Sequence, residues 1–255
     1  MKRVLKSLVL LALLLGLTSV ARAQDEITLL APGPMRRALD PIVANYMMKS
    51  GAKVKITYGT GLSTRQSVAK GEALDVSLIL PPYYAALASG SVDRSTATTV
   101  TSFLMAIAVP KGAPKPDISS PQAVKKALMD AKSVGYVDPD FGSAGMGATE
   151  AIDKLGINDQ IAGKSQVPNG GGPVQQGLTK GDLALGMLYL SDMQPNGDKF
   201  DIVGPLPRKL VAPTPIVGFV STKAKDPAAA KALLQYLASP DAQAIFKADG
   251  FEPHS

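Results

Sequence analysis

The chain has 255 residues, of which 27 are basic, 21 are acidic and one is a histidine, and it contains no cysteine. The absence of cysteine excludes disulfides, thiolate catalysis and Cys-based zinc sites. The single histidine, His254, is next to last, where chain ends usually fray. A Ser-His-Asp triad or a histidine-based metal site is therefore not expected. We expect neither a metal nor a cofactor.

The first 23 residues are predicted to be an export signal. A positive start with Lys2 and Lys6 precedes a ten-residue apolar run at 8–17, and a small-residue cleavage site ends at Ala23. The run has about half the length that a membrane-spanning helix needs. The segment carries four of the 27 basic residues and no acidic one, which leaves 23 basic and 21 acidic residues. We therefore expect a periplasmic protein with no nucleic-acid partner, because no dense basic run remains.

Short apolar runs then alternate with segments of helical periodicity. Strands are predicted at 26–32, 53–59, 75–80, 103–112, 133–139, 183–190, 200–207 and 214–222. Helices are predicted at 34–51, 63–71, 81–90, 120–131, 143–156, 174–181, 226–239 and 240–250. This alternation predicts an α/β fold with parallel-rich sheets that are covered by helices on both faces.

Four junctions between a predicted strand and the next helix are rich in glycine, proline and hydroxyl residues: 31–37, 58–64, 138–147 and 168–173. Ligands of open α/β sheets bind beyond the carboxyl ends of the strands. A helix N-terminus at such a place favours an anion by about 0.3–1 kcal/mol. One such junction alone is more typical of an ordinary tight turn, but four together favour a shared anion site. The candidate residues that these junctions supply are Gly33, Thr60, Gly61, Ser63, Ser143 and Gly171.

Other motifs are weak or absent. No Walker-type phosphate loop occurs, and no Gly-x-Gly-x-x-Gly follows a predicted strand, so a nucleotide ligand is not expected. Asp138 and Asp140 have the spacing of a carboxylate dyad, although Asp-Pro-Asp is more often turn and capping chemistry.

The order and spacing of the segments resemble the molybdate-binding-protein-like family of type II periplasmic solute-binding proteins. The segments that carry the resemblance are 58–79, 107–128, 171–192 and 226–253. The last of these is a helix pair with Ser-Pro between the helices and Gly-Phe after them. The resemblance covers nearly all of the chain beyond the export signal.

The resemblance implies two α/β lobes joined by two crossing hinge segments, with the ligand between the lobes. The first lobe is expected to comprise residues 24–105 and the return segment 212–255, and the second lobe residues 106–211. It also implies a monomer that delivers a small anionic solute to the membrane permease of an ATP-driven (ABC) importer.

The resemblance further implies which residues bind the ligand. Relatives that bind molybdate use hydroxyls of the first two loops, backbone N–H groups and a tyrosine. Thr60 and Ser63 match the second loop, and Tyr189 in "LYLSD" matches the tyrosine. The first loop departs from the family, because "LAPGPM" places prolines on both sides of Gly33 where a serine is expected, and proline has no N–H to donate.

Arginines introduce charge beside these loops. Arg36 follows the first loop and Arg65 the second, and a guanidinium suits a carboxylate bidentately. Arg37 is expected to be a solvated residue on the helix face. Molybdate, another oxyanion and a small carboxylate therefore all stay open as ligands.

An enzyme is the alternative to a binding protein. A branch of the same family resembles aconitate isomerase, whose reaction moves a proton along an allylic tricarboxylate and needs a base close to the carbon acid. Tyr189, Asp138 and Asp140 are the available bases. The first hypothesis is a non-enzymatic solute-binding protein of an importer, and the second is an isomerase on the same scaffold.

Overall fold

The protein is described here by a computed structural model that covers residues 26–254. The predicted export signal, residues 1–23, lies outside the described residues. Within the described range, no helix combines the length and the apolar character that crossing a membrane requires.

The strands are β1 (Ile27–Pro32), β2 (Val54–Gly59), β3 (Val76–Ile79), β4 (Val92–Phe103), β5 (Met105–Pro110), β6 (Val134–Tyr136), β7 (Ser165–Gln166), β8 (Leu185–Tyr189), β9 (Phe200–Pro205), β10 (Thr214–Ser221) and β11 (Phe251–Pro253). The helices are α1 (Arg36–Ser50), α2 (Gly61–Ala69), α3 (Tyr84–Ala88), α4 (Pro121–Asp130), α5 (Ser143–Leu155), α6 (Asn158–Ala162), α7 (Gly171–Lys180), α8 (Leu190–Met193), α9 (Pro227–Leu237) and α10 (Pro240–Ala248). Short 3-10 turns cover Gly33–Met35 and Gln194–Asn196.

These strands form two mixed sheets. The first has the order β11-β4-β10-β3-β1-β2, and the second has the order β7-β6-β8-β5-β9. β1 pairs in parallel with β2 and β3, and β6 with β7 and β8, as the alternation of strands and helices predicts. β10 runs antiparallel to β3 and β4, and β5 runs antiparallel to β8 and β9. The antiparallel strands lie next to the places where the chain passes from one sheet to the other.

Local sequence explains where the main helices begin and end. Ser120, Asp226 and Ser239 each accept a backbone N–H as N-caps, and proline follows each of them at the first helical position, where its missing N–H costs nothing. α5 and α7 end at Gly156 and Gly181, which adopt the left-handed conformation that glycine tolerates best.

The structure corrects the strand prediction between residues 92 and 112. The sequence predicts one strand over 103–112, but the chain leaves the first sheet after Phe103 and enters the second at Met105. β4 itself, a twelve-residue strand, was not predicted. Its sequence, VDRSTATTVTSF, is so rich in serine and threonine that it lacks the apolar alternation by which strands are recognised.

The two sheets meet at an aromatic cluster. Phe103 of β4 stacks on Tyr189 of β8, with the ring centroids 4.4 Å apart and the planes 12° apart. Phe251 of β11 packs against Phe103 with a centroid distance of 5.0 Å. Tyr189 therefore rests on the first sheet, although its strand belongs to the second. The lobe boundaries expected after residues 105 and 211 remain a prediction.

Candidate functional site

A cavity of about 530 Å³ opens between the two sheets. On the side of the first sheet, it is lined by Gly33, Pro34, Arg36, Tyr58, Gly59, Thr60 and Gly61. On the side of the second sheet, it is lined by Val137, Phe141, Gly142, Ser143, Ala144, Asn169, Gly170, Gly171, Tyr189 and Asp192. The four glycine-rich junctions that the sequence singles out therefore contribute to one cavity.

In the junction between β2 and α2, the polar groups are largely hydrogen-bonded to one another. The Thr60 hydroxyl accepts the Ser63 backbone N–H at 3.0 Å, and the Ser63 hydroxyl donates to the Thr60 carbonyl at 3.1 Å. A Cβ on Gly59 would lie 2.5 Å from the Ser63 Oγ, so a side chain here would displace that hydroxyl from its bond to the Thr60 carbonyl. A Cβ on Gly61 would lie 3.0 Å from the Ser143 Oγ, which makes Gly61 the point where the two walls come close.

Arg36 contributes a guanidinium to the wall. It lies over the Tyr58 ring, 4.0 Å from the centroid, in a cation–π contact. The Tyr58 hydroxyl donates to Asp40 at 2.5 Å, and burial, followed by this bond, raises the tyrosine pKa. Among the residues that the structure describes, none of the ion pairs includes Arg36. No carboxylate of the described residues therefore lies within 4 Å of its guanidinium, and Asp40 reaches it only through Tyr58.

Two helix N-termini reach the cavity from the second sheet. α5 begins after Gly142 and α7 after Gly170, and neither of these N-cap glycines offers a side chain to the first-turn N–H groups. The free donors are the N–H groups of Ser143 and Ala144 in α5 and of Gly171 and Gly172 in α7, since the Gly145 N–H donates to the Gly142 carbonyl at 3.0 Å and Pro173 has no N–H. An anion in the cavity would complement both their donors and the positive ends of the helix dipoles.

Tyr189 places a buried hydroxyl at the cavity. The residue is 1% exposed, and its hydroxyl has no hydrogen-bond partner among the described residues. Burial raises the pKa of Tyr189 to about 12. The hydroxyls of Ser143 and Thr214 act in the opposite direction on that pKa, but neither meets the geometry of a hydrogen bond. A buried donor without a partner costs free energy that a bound acceptor would recover.

Asp192, one turn beyond Tyr189, also lines the cavity. Its burial, followed by the nearby charge of Asp249, raises the pKa of its carboxyl to about 7. Asp192 is not among the residues predicted from the sequence, although "YLSD" places it three residues after the predicted ligand tyrosine. The acidic candidates predicted from the sequence are Asp138 and Asp140. Asp138 accepts the Asp140 backbone N–H at 2.9 Å, which is turn chemistry.

Two predicted ligand residues lie outside the cavity. The Ser63 hydroxyl is turned back to the Thr60 carbonyl. Arg65 donates to the Pro81 carbonyl at 2.5 Å and lines a neighbouring cleft with Asp140. Arg37, expected to be a solvated helix residue, has a half-exposed side chain whose Nε is 2.7 Å from the buried Asp249 carboxylate.

The other seven predicted residues line the cavity together: Gly33, Arg36, Thr60, Gly61, Ser143, Gly171 and Tyr189. Their contact with a ligand stays a prediction. Within residues 26–254, no group of three or more histidine, cysteine, aspartate or glutamate residues is arranged to hold a metal ion.

Comparisons with known proteins agree with this architecture. Residues 27–252 match the family model described as bacterial extracellular solute-binding protein. A Pseudomonas protein named aconitate isomerase is 31% identical, over 98% of this chain and 97% of that protein. Molybdate-binding protein ModA of Escherichia coli is 22% identical, over 89% of each chain. The solved periplasmic molybdate-binding protein of Azotobacter vinelandii superposes with a TM-score of 0.70 at 16% identity, covering 90% of this chain and 100% of that one.

Proposed function

The chain belongs to the family of bacterial extracellular solute-binding proteins, and on that premise we propose that it binds a small organic carboxylate between its two sheets. In this proposal the protein works in the periplasm and delivers the ligand to the permease of an ATP-driven importer. The segments that cross between the sheets, near residues 105 and 211, act as the hinge on which two lobes close.

The observation that carries the proposal is the set of unpartnered donors around one cavity. Arg36 has no carboxylate partner, the Tyr189 hydroxyl is buried without an acceptor, and α5 and α7 present uncapped N-termini. All of these groups interact favourably with negative oxygen atoms, and a guanidinium suits the planar fork of a carboxylate.

The remaining walls favour an organic ligand over an inorganic oxyanion. The apolar side chains of Val137, Phe141 and Ala144 line the cavity. Phe141 is 52% exposed, so its ring is accessible to a ligand. The volume of about 530 Å³ lies in the range of pockets for organic ligands and exceeds what a five-atom oxyanion would fill. Prolines on both sides of Gly33 also remove donors from the first loop, which would otherwise help to hold a tetrahedral anion.

Isomerisation of such a ligand is the second candidate function. Its support is Asp192, a carboxyl at the cavity wall whose pKa of about 7 lets it accept and return a proton near neutral pH. The relative named aconitate isomerase, at 31% identity, favours the same reaction class. In this scheme Asp192 takes a proton from the CH₂ carbon of an allylic tricarboxylate. The double bond shifts, and the same proton returns to the former vinyl carbon.

The proposal is tested by the melting temperature of the protein with citrate, cis- and trans-aconitate, molybdate, tungstate and sulfate. A ligand at 100 times its dissociation constant adds about 2.7 kcal/mol, which is a shift of several degrees. We expect shifts with carboxylates and none with the inorganic oxyanions. A shift with molybdate and tungstate alone would contradict the proposal.

Turnover separates the two candidate functions. Proton NMR of cis-aconitate incubated with the protein reports any trans isomer directly. A binding protein returns its ligand unchanged, whereas the isomerase reading requires conversion that Asp192→Asn abolishes.

A further inference from the structure

The segment from Tyr189 to Asp192 joins the two walls of the cavity. The turn of α8 packs against β5, β8 and β9 of its own sheet and against the 3-10 turn Gly33–Met35 of the other wall. A Cβ on Gly250 would lie 3.0 Å from Leu190, so the turn after α10 also touches this segment. Asp192 is thus placed where both sides of the cavity meet.

This junction is rich in buried polar atoms that lack partners. Among the described residues, the Tyr189 hydroxyl, the Ser191 hydroxyl and one carboxylate oxygen of Asp249 make no hydrogen bond. Asp192 itself is partly buried, and no hydrogen bond or ion pair of the described residues influences its carboxyl. Natural structures seldom leave such groups unsatisfied unless a ligand or water completes them.

The charges that face Asp192 can be counted from the elements packed around it. β5 and both 3-10 turns carry no titratable side chain, and β8 contributes Tyr189. Asp201 of β9 is engaged by Lys111 at 3.0 Å and by the Gly112 N–H at 2.8 Å. The turn after α10 contributes Asp249, whose charge is shared with Arg37.

Among these groups the charge that acts on Asp192 is that of Asp249. Arg36 lines the same cavity, but none of the ion pairs of the described residues includes Asp192. An ionised Asp192 would repel an anion in the cavity, strongly so where the wall is dry. A neutral carboxyl instead offers one O–H donor to a ligand oxygen.

We propose that the site takes up one proton together with its anion, and that Asp192 carries this proton as a hydrogen-bond donor to the ligand. This inference rests on the first proposed function, binding without turnover, because an Asp192 that holds a proton in the complex cannot act as the base of the isomerase scheme. Asp192 then selects the ligand by charge, because the site binds an anion only when the Asp192 carboxylate is protonated.

The direction of the pH dependence follows from linkage. The free carboxyl has a pKa of about 7, and a bound anion raises it further. Above pH 7, binding must bring a proton to Asp192, so affinity falls by up to tenfold per pH unit until the pKa of the complex is reached. Well below pH 7, Asp192 is already neutral and contributes no pH dependence.

The experiment is calorimetric titration with trans-aconitate between pH 6 and 8.5, repeated in buffers of different ionisation enthalpy, which reports the protons taken up per ligand. We expect uptake of more than half a proton at pH 8 and close to none from this group at pH 6. Asp192→Asn should abolish the uptake and flatten the pH profile. Asp140→Asn, in the neighbouring cleft, is the matched control and should keep both.

Each outcome decides the inference. Binding by the unaltered protein with no net proton uptake overturns it and leaves the proposed function standing, whether or not the variant folds. Uptake that persists in Asp192→Asn overturns the assignment to this residue. Failure of trans-aconitate, cis-aconitate and citrate all to bind overturns the inference and the proposed function together.

Discussion

The two walls of the cavity differ in how completely their polar groups are satisfied. On the wall of the first sheet, Thr60 and Ser63 bond to each other, and Tyr58 bonds to Asp40. On the wall of the second sheet, the Tyr189 hydroxyl has no partner among the described residues, and the helices that follow Gly142 and Gly170 have no side-chain cap. Both walls come from glycine-rich junctions of similar composition.

This difference indicates which polar groups can contribute free energy to ligand binding. A donor that is already bonded must break that bond to meet a ligand, so the exchange gains little. A buried donor without a partner recovers its desolvation cost when a ligand arrives. We therefore expect the second wall, together with Arg36, to hold the anion, and the first wall to shape the cavity.

The largest effect is expected at Arg36, which is the one arginine within residues 26–254 that lines the cavity. Arg36→Met should weaken carboxylate binding by at least about thirtyfold, or ~2 kcal/mol, because a charge-assisted pair is lost. Arg65→Met is the matched control, since Arg65 is bonded to Pro81 outside the cavity and should change affinity less than about twofold. Titration calorimetry measures the ligand affinity of both variants. Equal losses of affinity would show that Arg36 does not contact the ligand more directly than Arg65.

Asp192 should be visible in stability as well as in binding. Its folded-state pKa of about 7 lies above the ordinary value of 3.8, so its stabilising contribution is complete below about pH 4 and is lost as pH rises through 7. Asp192→Asn should therefore stabilise the free protein by about 1–2 kcal/mol at pH 8, a figure reduced for its partial exposure, and by almost nothing at pH 4. Urea unfolding at both pH values tests this. A variant less stable than the parent at pH 8 would show that the carboxylate is needed structurally.

Tyr189→Phe isolates one unpartnered donor of the second wall. Removing the hydroxyl should weaken binding by about fivefold, or ~1 kcal/mol, and should leave the melting temperature of the free protein equal or higher, because a buried group without a partner disappears. The stack on Phe103 is retained. Unchanged affinity would show that Tyr189 only packs against its neighbours and that its unpartnered hydroxyl does not contribute to binding.

The smallest effects belong to the first wall. Thr60→Ala should cost about 0.5–1 kcal/mol of stability through the lost N-cap of α2. It should weaken binding by only about twofold, and Ser63→Ala should change binding even less. Thermal unfolding and calorimetry of the single and double variants give both numbers. A tenfold loss of affinity in the double variant would make the β2–α2 loop a principal donor and reverse the comparison.

Much of this site could be predicted from glycine and proline. These residues fix turns by covalent geometry, so the four junctions and the caps of α4, α9 and α10 could be read from the chain. The rule that strand ends converge led to five of the residues that share the cavity: Gly33, Thr60, Gly61, Ser143 and Gly171. Tyr189 was predicted from the family resemblance, and Arg36 from its charge beside the first loop.

What the sequence could not show depends on side-chain orientation and burial. Ser63 and Arg65 have suitable chemistry at suitable positions, but each turns to a backbone carbonyl nearby. Asp192 carries no motif that marks it in the sequence, because only the tertiary structure buries it beside Asp249. β4 was missed because its serines and threonines hide the alternation that a half-buried strand normally displays.

A crystal structure of the protein with trans-aconitate tests the central claim most directly. We predict the ligand between the two sheets, with one carboxylate on the Arg36 guanidinium, and the Tyr189 hydroxyl and the first N–H groups of α5 or α7 within hydrogen-bond distance of its oxygens. A ligand held only by Thr60 and Ser63, or bound outside this cavity, would contradict the account.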